Sequence, residues 1–460
     1  MAQQARQITP ERPDHLPTVR RWSGIRRAAV VLCLIPAAYF VLTAVYGLLN
    51  AADYATDLPR QLRYVIGPLI IALALILAAF RLPQNGAIMV GIVTSSILGT
   101  LFVFETYLTI RLLPRQGGLV GTVSGEVELE PYHRNLPPAY VIKGLNNALG
   151  VKELDQALMS AVPEQMMMLC SRDGQPVTTR TDGYGFRNPP GTAAAADPAE
   201  VMVVGDSFAE GICLPDGEGM IGQLRGFVSG PVVNTASRGS GPLFELAVMG
   251  RYGPIFRPKV TVMAFFEGND WENLANEADI GWLAEAMDPN ADFGVHRWTP
   301  AERKAADSVI AGWWNDGAAS VGELFRRRSM LRNYLALANT SHVLGLQYPK
   351  ATPPNPLYKP LLERARQIAD GWGGEFVVAY VPAHNRFAGL LPHQFVYDDL
   401  RGMVHEAAKA AGVPVIDLAQ AFSGHPDPKL FYAADSHFNS AGALVAAEEI
   451  AARLADLGRS

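Results

Sequence analysis

The 460-residue chain is short of charge and nearly empty of cysteine. Asp, Glu, Lys and Arg make up 18% of it and there are three cysteines, where an average soluble domain is about 25% charged. The net charge is −5 and no basic stretch is interleaved with aromatics. The phosphate-neutralising Lys/Arg clusters of a nucleic-acid binder are therefore missing, and no nucleic-acid partner is expected. No His, Cys and carboxylate group has metal-ligand spacing and no Gly-rich nucleotide loop occurs, so neither a metal nor a cofactor is expected. No internal repeat is found. With 49% hydrophobic residues, disorder is excluded for most of the chain.

The apolar excess lies at the front, in Ala28 to Leu49, Tyr64 to Phe80 and Ala87 to Ile110. A bilayer core of about 30 Å needs roughly 20 helical residues, so three membrane helices are the simplest reading. The first is expected to be retained, because two more spans follow and no small-residue cleavage site closes it. Arg20, Arg21, Arg26 and Arg27 flank it, whereas Arg60 and Arg63 in the next loop stand beside Asp53 and Asp57. That bias puts the N-terminus in the cytoplasm and, after three crossings, the remainder outside; Arg111 and Arg115 run against it. Glu105, near the outer end of the third run, is expected to be an interfacial carboxylate reaching headgroups or water rather than a functional group.

The expected organisation is a cytoplasmic tail at 1–27, a transmembrane region at 28–111, a linker or collar at 112–199 and a larger domain at 200–460. The linker opens on Gly117, Gly118, Gly121 and Gly125 and closes on a loop-like stretch from Asn188 to Ala199. Beyond it, strands are predicted at Val201 to Val204, Val232 to Asn234, Val260 to Phe266, Phe376 to Pro382 and Val413 to Leu418. Helices are predicted at Glu218 to Phe227, Leu243 to Arg251, Pro360 to Trp372, Asp398 to Ala411 and Ser440 to Leu457. Short β-branched runs alternating with amphipathic helices give an α/β fold, its mostly parallel sheet covered on both faces. Trp271 to Lys350 is an aromatic-rich, mostly helical insertion, suited to a lid or substrate-binding wall.

In such sheets the working site lies beyond the carboxyl ends of the strands, and four segments there stand out. Gly205-Asp206-Ser207-Phe208 offers a serine at a sharp strand-to-helix corner, where a nucleophile or a simple helix cap would sit. Asn234 to Pro242 is a glycine loop able to aim a backbone N–H at developing negative charge. Glu267-Gly268-Asn269-Asp270 offers an amide side chain over the same edge. Asp435-Ser436-His437-Phe438-Asn439 places a carboxylate two residues before a histidine, so that it could orient the ring.

Together, in this order, the four segments resemble the SGNH (GDSL-type) hydrolase superfamily over about residues 200 to 457. The resemblance implies a three-layer α/β/α, flavodoxin-like domain with Ser207 as nucleophile. It also implies an oxyanion hole from the Ser207 N–H, Gly239 and Asn269, and a triad completed by Asp435 and His437. Gly239 is matched because it stands five residues after Asn234. The usual last block is D-x-x-H; the D-x-H here is similar to that of the alginate-type O-acetyltransferase branch, which places it before the serine. Acyl transfer through an acyl-serine then opens either to water, as in an esterase, or to a sugar hydroxyl, as in an O-acyltransferase. The tether favours an acyl ester of an envelope or exported polysaccharide, met on the periplasmic side of a bacterial inner membrane. Three helices look too few to carry an acyl donor, so a transferase would need a membrane partner to deliver it. A catalytically silent scaffold or glycan-binding module is the third reading, and it expects Ser207 and His437 apart.

Other residues carry paired readings. Asp206 and Asp270 are expected to satisfy backbone N–H groups of their turns, and Asp417 to cap the turn after its strand rather than to serve as the triad carboxylate. His384, at a strand end, is expected as a solvated loop histidine rather than one that touches substrate. Asp182 to Arg187 resembles a block upstream of the catalytic strand in envelope-associated SGNH proteins; Arg187 would contact an anionic glycan, or Tyr184 and Phe186 would simply pack. Trp271, Trp282, Trp298, Trp313 and Trp314 offer stacking surfaces for sugars or belong to the core. Cys33 lies in the first membrane run. Cys170 and Cys213 either form a disulfide, pinning the Tyr184 block beside the site, or remain two buried thiols.

Overall fold

The computed structural model describes residues 24–116, 139–172, 175–192, 198–295, 298–316, 328–348, 352–353, 355–389, 393–433 and 435–457. The tail before residue 24, the glycine-rich connector at 117–125 and the alanine run of the 188–199 loop lie outside them. The chain divides into two compact units, Met1–Asn50 with Gln61–Thr100, and Ala51–Arg60 with Leu101–Ser460.

In the first unit, helix Gly24–Leu49 packs on Gly67–Arg81. Their buried positions are mostly small: Ala29, Cys33, Ala37, Ala44 and Gly47 on one helix, Ala72 and Ala79 on the other. Small side chains let backbones approach, which is how apolar helices associate where lipid removes the hydrophobic drive. Leu42, Leu48, Ile70 and Leu73 point outward and are exposed. Gly24–Leu49, Leu58–Arg81 and Gln84–Ile110 are three helices long and apolar enough to cross a membrane.

The second unit contains an antiparallel hairpin, β1 (Met166–Arg172) and β2 (Gln175–Arg180), which the sequence reading had subsumed in a linker. Its main sheet is built from β3 (Val201–Gly205), β4 (Val232–Asn234), β5 (Val260–Phe266), β6 (Glu375–Val381) and β7 (Val415–Asp417). These run parallel in the order β4-β3-β5-β6-β7. The chain leaves β3 toward one edge and returns through β5 on the other side, so the topological switch point falls between β3 and β5. Alternation along each strand feeds two cores. Met202, Val204, Met263, Phe265, Val378 and Tyr380 pack with helices Pro242–Phe256 and Tyr358–Asp370 on one face. Val201, Val203, Val262, Ala264, Val377 and Ala379 pack with Leu418–Ser423 and Ser440–Leu457 on the other. The result is the three-layer α/β/α arrangement.

Several sequence expectations need correction. The strand predicted over 413–418 is only Val415–Asp417, because Pro414 has no N–H to donate and Asp417 already turns to cap the next helix. The helix predicted over 218–227 shrinks to Met220–Leu224. Glu105 does not reach headgroups or water: it is fully buried, and its carboxylate accepts hydrogen bonds from the Asn339 N–H (3.1 Å) and the Thr340 N–H (2.7 Å). These are orphan donors at the start of helix Ala338–Val343, where a carboxylate is favoured. Trp271 and Trp282 are core residues and Trp298 packs against the same core, so none of the three is a free stacking surface. The side chains of Trp313 and Trp314 lie outside the described residues.

Candidate active site

β3 ends at Gly205. A Cβ there would stand 2.7 Å from the Ala209 Cβ and 2.9 Å from the Ala264 Cβ, so only glycine lets the strand turn this tightly into a helix. Asp206 caps that helix, Ser207–Glu210, its Oδ1 accepting from the Phe208 N–H at 2.9 Å. Ser207 is thereby fixed at the first helical position. Its hydroxyl lies 2.9 Å from His437 Nε2.

His437 comes from the loop before helix Ser440–Leu457. Its ring lies 4.8 Å from that of Phe208, which itself stacks on Phe266 at 4.0 Å and meets Phe438 edge-on at 5.0 Å. The D-x-H spacing works because Ser436 adopts φ 71°, in the left-handed region, and turns the chain back on itself. Ser436 N–H donates to the Ala433 carbonyl and Ala433 N–H to that of His437, at 2.9 and 2.7 Å. Asp435 is thus brought beside His437: Oδ1 accepts from the His437 N–H at 3.3 Å, and Oδ2 lies 3.5 Å from Nδ1. The second contact is of ion-pair length without hydrogen-bond alignment, and Nδ1 makes no other bond among the described residues. Such contacts are often long in unliganded sites and tighten around substrate. Partial burial opposes ionisation of Asp435, but hydrogen bonding and charge attraction from His437 hold it below the usual aspartate range.

The glycine loop is clamped to the serine helix by residues that the sequence reading passed over. Arg238 donates from its backbone N–H and Nε to Glu210 Oε2, both at 3.0 Å, and from Nη2 to Oε1 at 2.7 Å. Ser240 Oγ donates to the Gly205 carbonyl at 2.9 Å. Between these anchors Gly239 takes φ 69°. The Gly241 N–H is committed to Glu277 at 2.7 Å, whereas among the described residues the N–H groups of Gly239 and Ser207 meet no acceptor. The Asn269 amide, after β5, likewise has no hydrogen-bond partner among the described residues. Opposite charges three residues after Ser207 and one before Gly239 were the available signal for the clamp.

Behind this edge lie buried acids. Burial pushes Asp206 up to about 6, against the Phe208 N–H and the His437 charge. Burial, then the charge of Asp206, raises Asp270 well above its ordinary range; its Oδ2 accepts from the Phe266 N–H at 2.6 Å. Glu245 is likewise raised by burial and by Asp270, and among the described residues neither of its carboxyl oxygens has a partner. Glu277 pairs with Lys143 and accepts from the Leu243 and Phe244 N–H groups at 3.0 and 3.1 Å, capping helix Pro242–Phe256.

The remaining candidates are placed elsewhere. Asp417 binds Arg401 (2.6 Å) and His405 (2.8 Å) and caps the next helix through the Gln420 N–H. His384 is not a solvated loop residue: it is half-buried, with its ring 5.2 Å from Tyr432 and 6.3 Å from His342. Burial lowers its pKa. Arg187 is not available to a glycan, since its guanidinium is spent on Asp216 at 2.9 Å and on the carbonyls of Glu210, Gly211 and Leu214. Tyr184 and Phe186 pack edge-on against Tyr252. Cys170 and Cys213 are bonded, with Cα atoms 5.4 Å apart, tying β1 to the turn that follows the serine helix.

Residues 347–459 match the family described as the SGNH hydrolase-like domain of the acetyltransferase AlgX. Over that segment the chain is similar to an SGNH hydrolase-like domain of the AlgX kind. The segment holds Asp435 and His437 but stops short of Ser207, Gly239 and Asn269. Comparison with curated proteins gives no match. Among solved structures the chain is similar to TesA, at 14% identity and a TM-score of 0.32, covering 56% of this chain and 98% of that one. A lipase/acylhydrolase from Enterococcus faecalis gives 14% identity and 0.30, with 55% and 95% covered. A catalytic mutant of Axe2, an acetylxylan esterase from Geobacillus stearothermophilus, gives 13% and 0.28, with 56% and 95% covered.

Proposed function

We propose that the protein is a membrane-anchored serine esterase or deacylase that acts on acyl esters of an envelope or exported polysaccharide through an acyl-serine intermediate. The carrying observation is the 2.9 Å contact of Ser207 Oγ with His437 Nε2, beside three uncommitted N–H donors. In the first step His437 Nε2 takes the hydroxyl proton as Ser207 Oγ bonds to the acyl carbon. The carbonyl electrons move onto oxygen, where the Ser207 and Gly239 N–H groups and the Asn269 amide stabilise the charge. Collapse breaks the ester bond, the imidazolium returns its proton to the leaving sugar oxygen, and an acyl-Ser207 remains. Water, deprotonated by the same ring, then bonds to the acyl carbon; collapse breaks the bond to Ser207 Oγ, which takes the proton back from the imidazolium, and the acid leaves. Asp435 holds the ring and favours its charged form.

A polysaccharide O-acetyltransferase using the same residues, with a sugar hydroxyl replacing water, is the second reading, and the AlgX-like segment favours it. In that case a membrane partner delivers the acyl donor. The silent-module reading is disfavoured, because it expects Ser207 and His437 out of reach. The charge bias around the first span supports a setting on the periplasmic side of a bacterial inner membrane.

The test is turnover of p-nitrophenyl acetate by the full chain in detergent, compared with Ser207→Ala, with and without a polysaccharide acceptor. Serine-dependent release into water alone supports the esterase. Release accelerated by acceptor, with acetate appearing on the sugar, supports the transferase. Failure of wild type both to turn over the ester and to be labelled by a serine-reactive phosphonate would overturn both.

A further inference from the structure

The long helix Gln84–Gln116 carries two different faces near its end. Positions 102, 105, 106 and 109 recur at helical spacing and share one side. All four meet the insertion. The Phe102 ring lies 5.6 Å from that of Tyr334, and Thr106 Oγ1 is 3.0 Å from the Tyr334 hydroxyl. Asn339 Nδ2 donates to Glu105 at 2.9 Å and to Thr109 Oγ1 at 3.2 Å, beside the backbone bonds described above. The neighbouring side is apolar and open: Val103 is 71% exposed, and Tyr107 and Ile110 are also exposed. In a helix apolar enough to cross a membrane, that side faces lipid, so residues 334–340 are docked at the level where the span ends.

On the insertion, Leu331 and Leu335 are one helical turn apart on Arg328–Leu335 and flank the docked Tyr334. They are 58% and 52% exposed, and Val343 at the end of the next helix is exposed as well. Between Leu324 and Lys350 the sequence contains Arg326, Arg327, Arg328, Arg332 and Lys350 and no Asp or Glu, in a chain whose net charge is −5. Exposed leucines beside arginines, on an amphipathic helix fixed at the end of a span, have the composition of a segment lying in a bilayer interface.

We propose that helices Arg328–Leu335 and Ala338–Val343 rest in the membrane interface at the end of the third span. Leu331, Leu335 and Val343 enter the acyl boundary and Arg332 meets anionic lipid headgroups. The occupant of this apolar face is the bilayer, because the face continues the lipid-facing side of the span at Val103, Tyr107 and Ile110. This holds whether or not Ser207 reacts.

The test uses the full chain carrying Cys33→Ala, with a spin label introduced by Leu331→Cys, Leu335→Cys or, as an aqueous reference ahead of β4, Phe227→Cys. The protein is reconstituted in nanodiscs of phosphatidylcholine, with or without phosphatidylglycerol. Labels at 331 and 335 are expected to collide more with oxygen than with a water-soluble nickel chelate, and the label at 227 the reverse. Phosphatidylglycerol is expected to deepen the first two, and Arg332→Glu to cancel that gain. Nickel accessibility at 331 and 335 equal to that at 227 would overturn the proposal. Protection from both reagents would also overturn it, in favour of a protein partner on this face. Immersion indifferent to phosphatidylglycerol would remove the anionic headgroups from it.

Discussion

Ser207 and His437 touch, but the two are held by different means. The serine stands at the end of a central strand, on a corner whose spacing is set by Gly205 against Ala209 and Ala264 and where Asp206 caps the Phe208 N–H. The histidine stands on a loop, steered by one left-handed residue, one ring contact and a carboxylate at 3.5 Å. The nucleophile inherits its position from the sheet, whereas the base is placed by a few contacts that a substrate can still tighten. Catalytic adjustment is therefore concentrated on the histidine side.

The comparison is broken most severely by Ser207→Ala. With wild type active, kcat is expected to fall by roughly 10⁴–10⁶, His437→Ala to do the same, and the double variant to be no worse than either alone. Multiplying losses, measured in one ester assay, would show that the two do not act as a unit. Next in size is Asn269→Ala, which removes a donor at the sheet edge while leaving both partners in place; a fall in kcat of about 10²–10³ with little change in KM is expected. Asp435→Asn sharpens the contrast. With its Nδ1 contact at 3.5 Å, its loss should stay below the roughly 10⁴-fold seen where such a carboxylate is tightly bonded, and a full-sized loss would show the loop already rigid.

The smallest effect is on stability. Asp206 has its pKa raised to about 6 by burial, so between roughly pH 4, the unfolded value, and pH 6 the native state binds more protons than the unfolded chain. Stability from this group is therefore lost as pH rises through that window, by up to about 3 kcal/mol, and is constant above it. Asp206→Asn keeps an acceptor for the Phe208 N–H and removes the titration. Thermal melts of the variant are expected to lose that slope, and an unchanged slope would assign it to another buried acid.

How much of this was legible depends on the range of the cause. Val260–Phe266 and Ser440–Leu457 form where the sequence predicts them, because a β-branched run and an amphipathic repeat act locally. The four strand-end segments were visible for the same reason, as short motifs at predictable places. Glu105 was misread because its partners are more than 230 residues away. The Glu210–Arg238 clamp was missed because each residue looks like an ordinary surface charge until the sheet brings two loops together. The burial of His384 likewise depends on His342 and Tyr432, on separate segments, and nothing in its own neighbourhood announces it.

The buried Glu105 also sets an order of events during synthesis. Its acceptors are satisfied by Asn339 and Thr340, 234 and 235 residues later in the chain, and ribosomes add roughly 5–20 residues per second. For on the order of ten seconds to a minute the third apolar helix exists with a carboxylate but without its permanent donors. During that interval the group must keep its water, since an unpartnered polar group in hydrocarbon is costly. The late arrival of the insertion thus completes the helix as well as the domain.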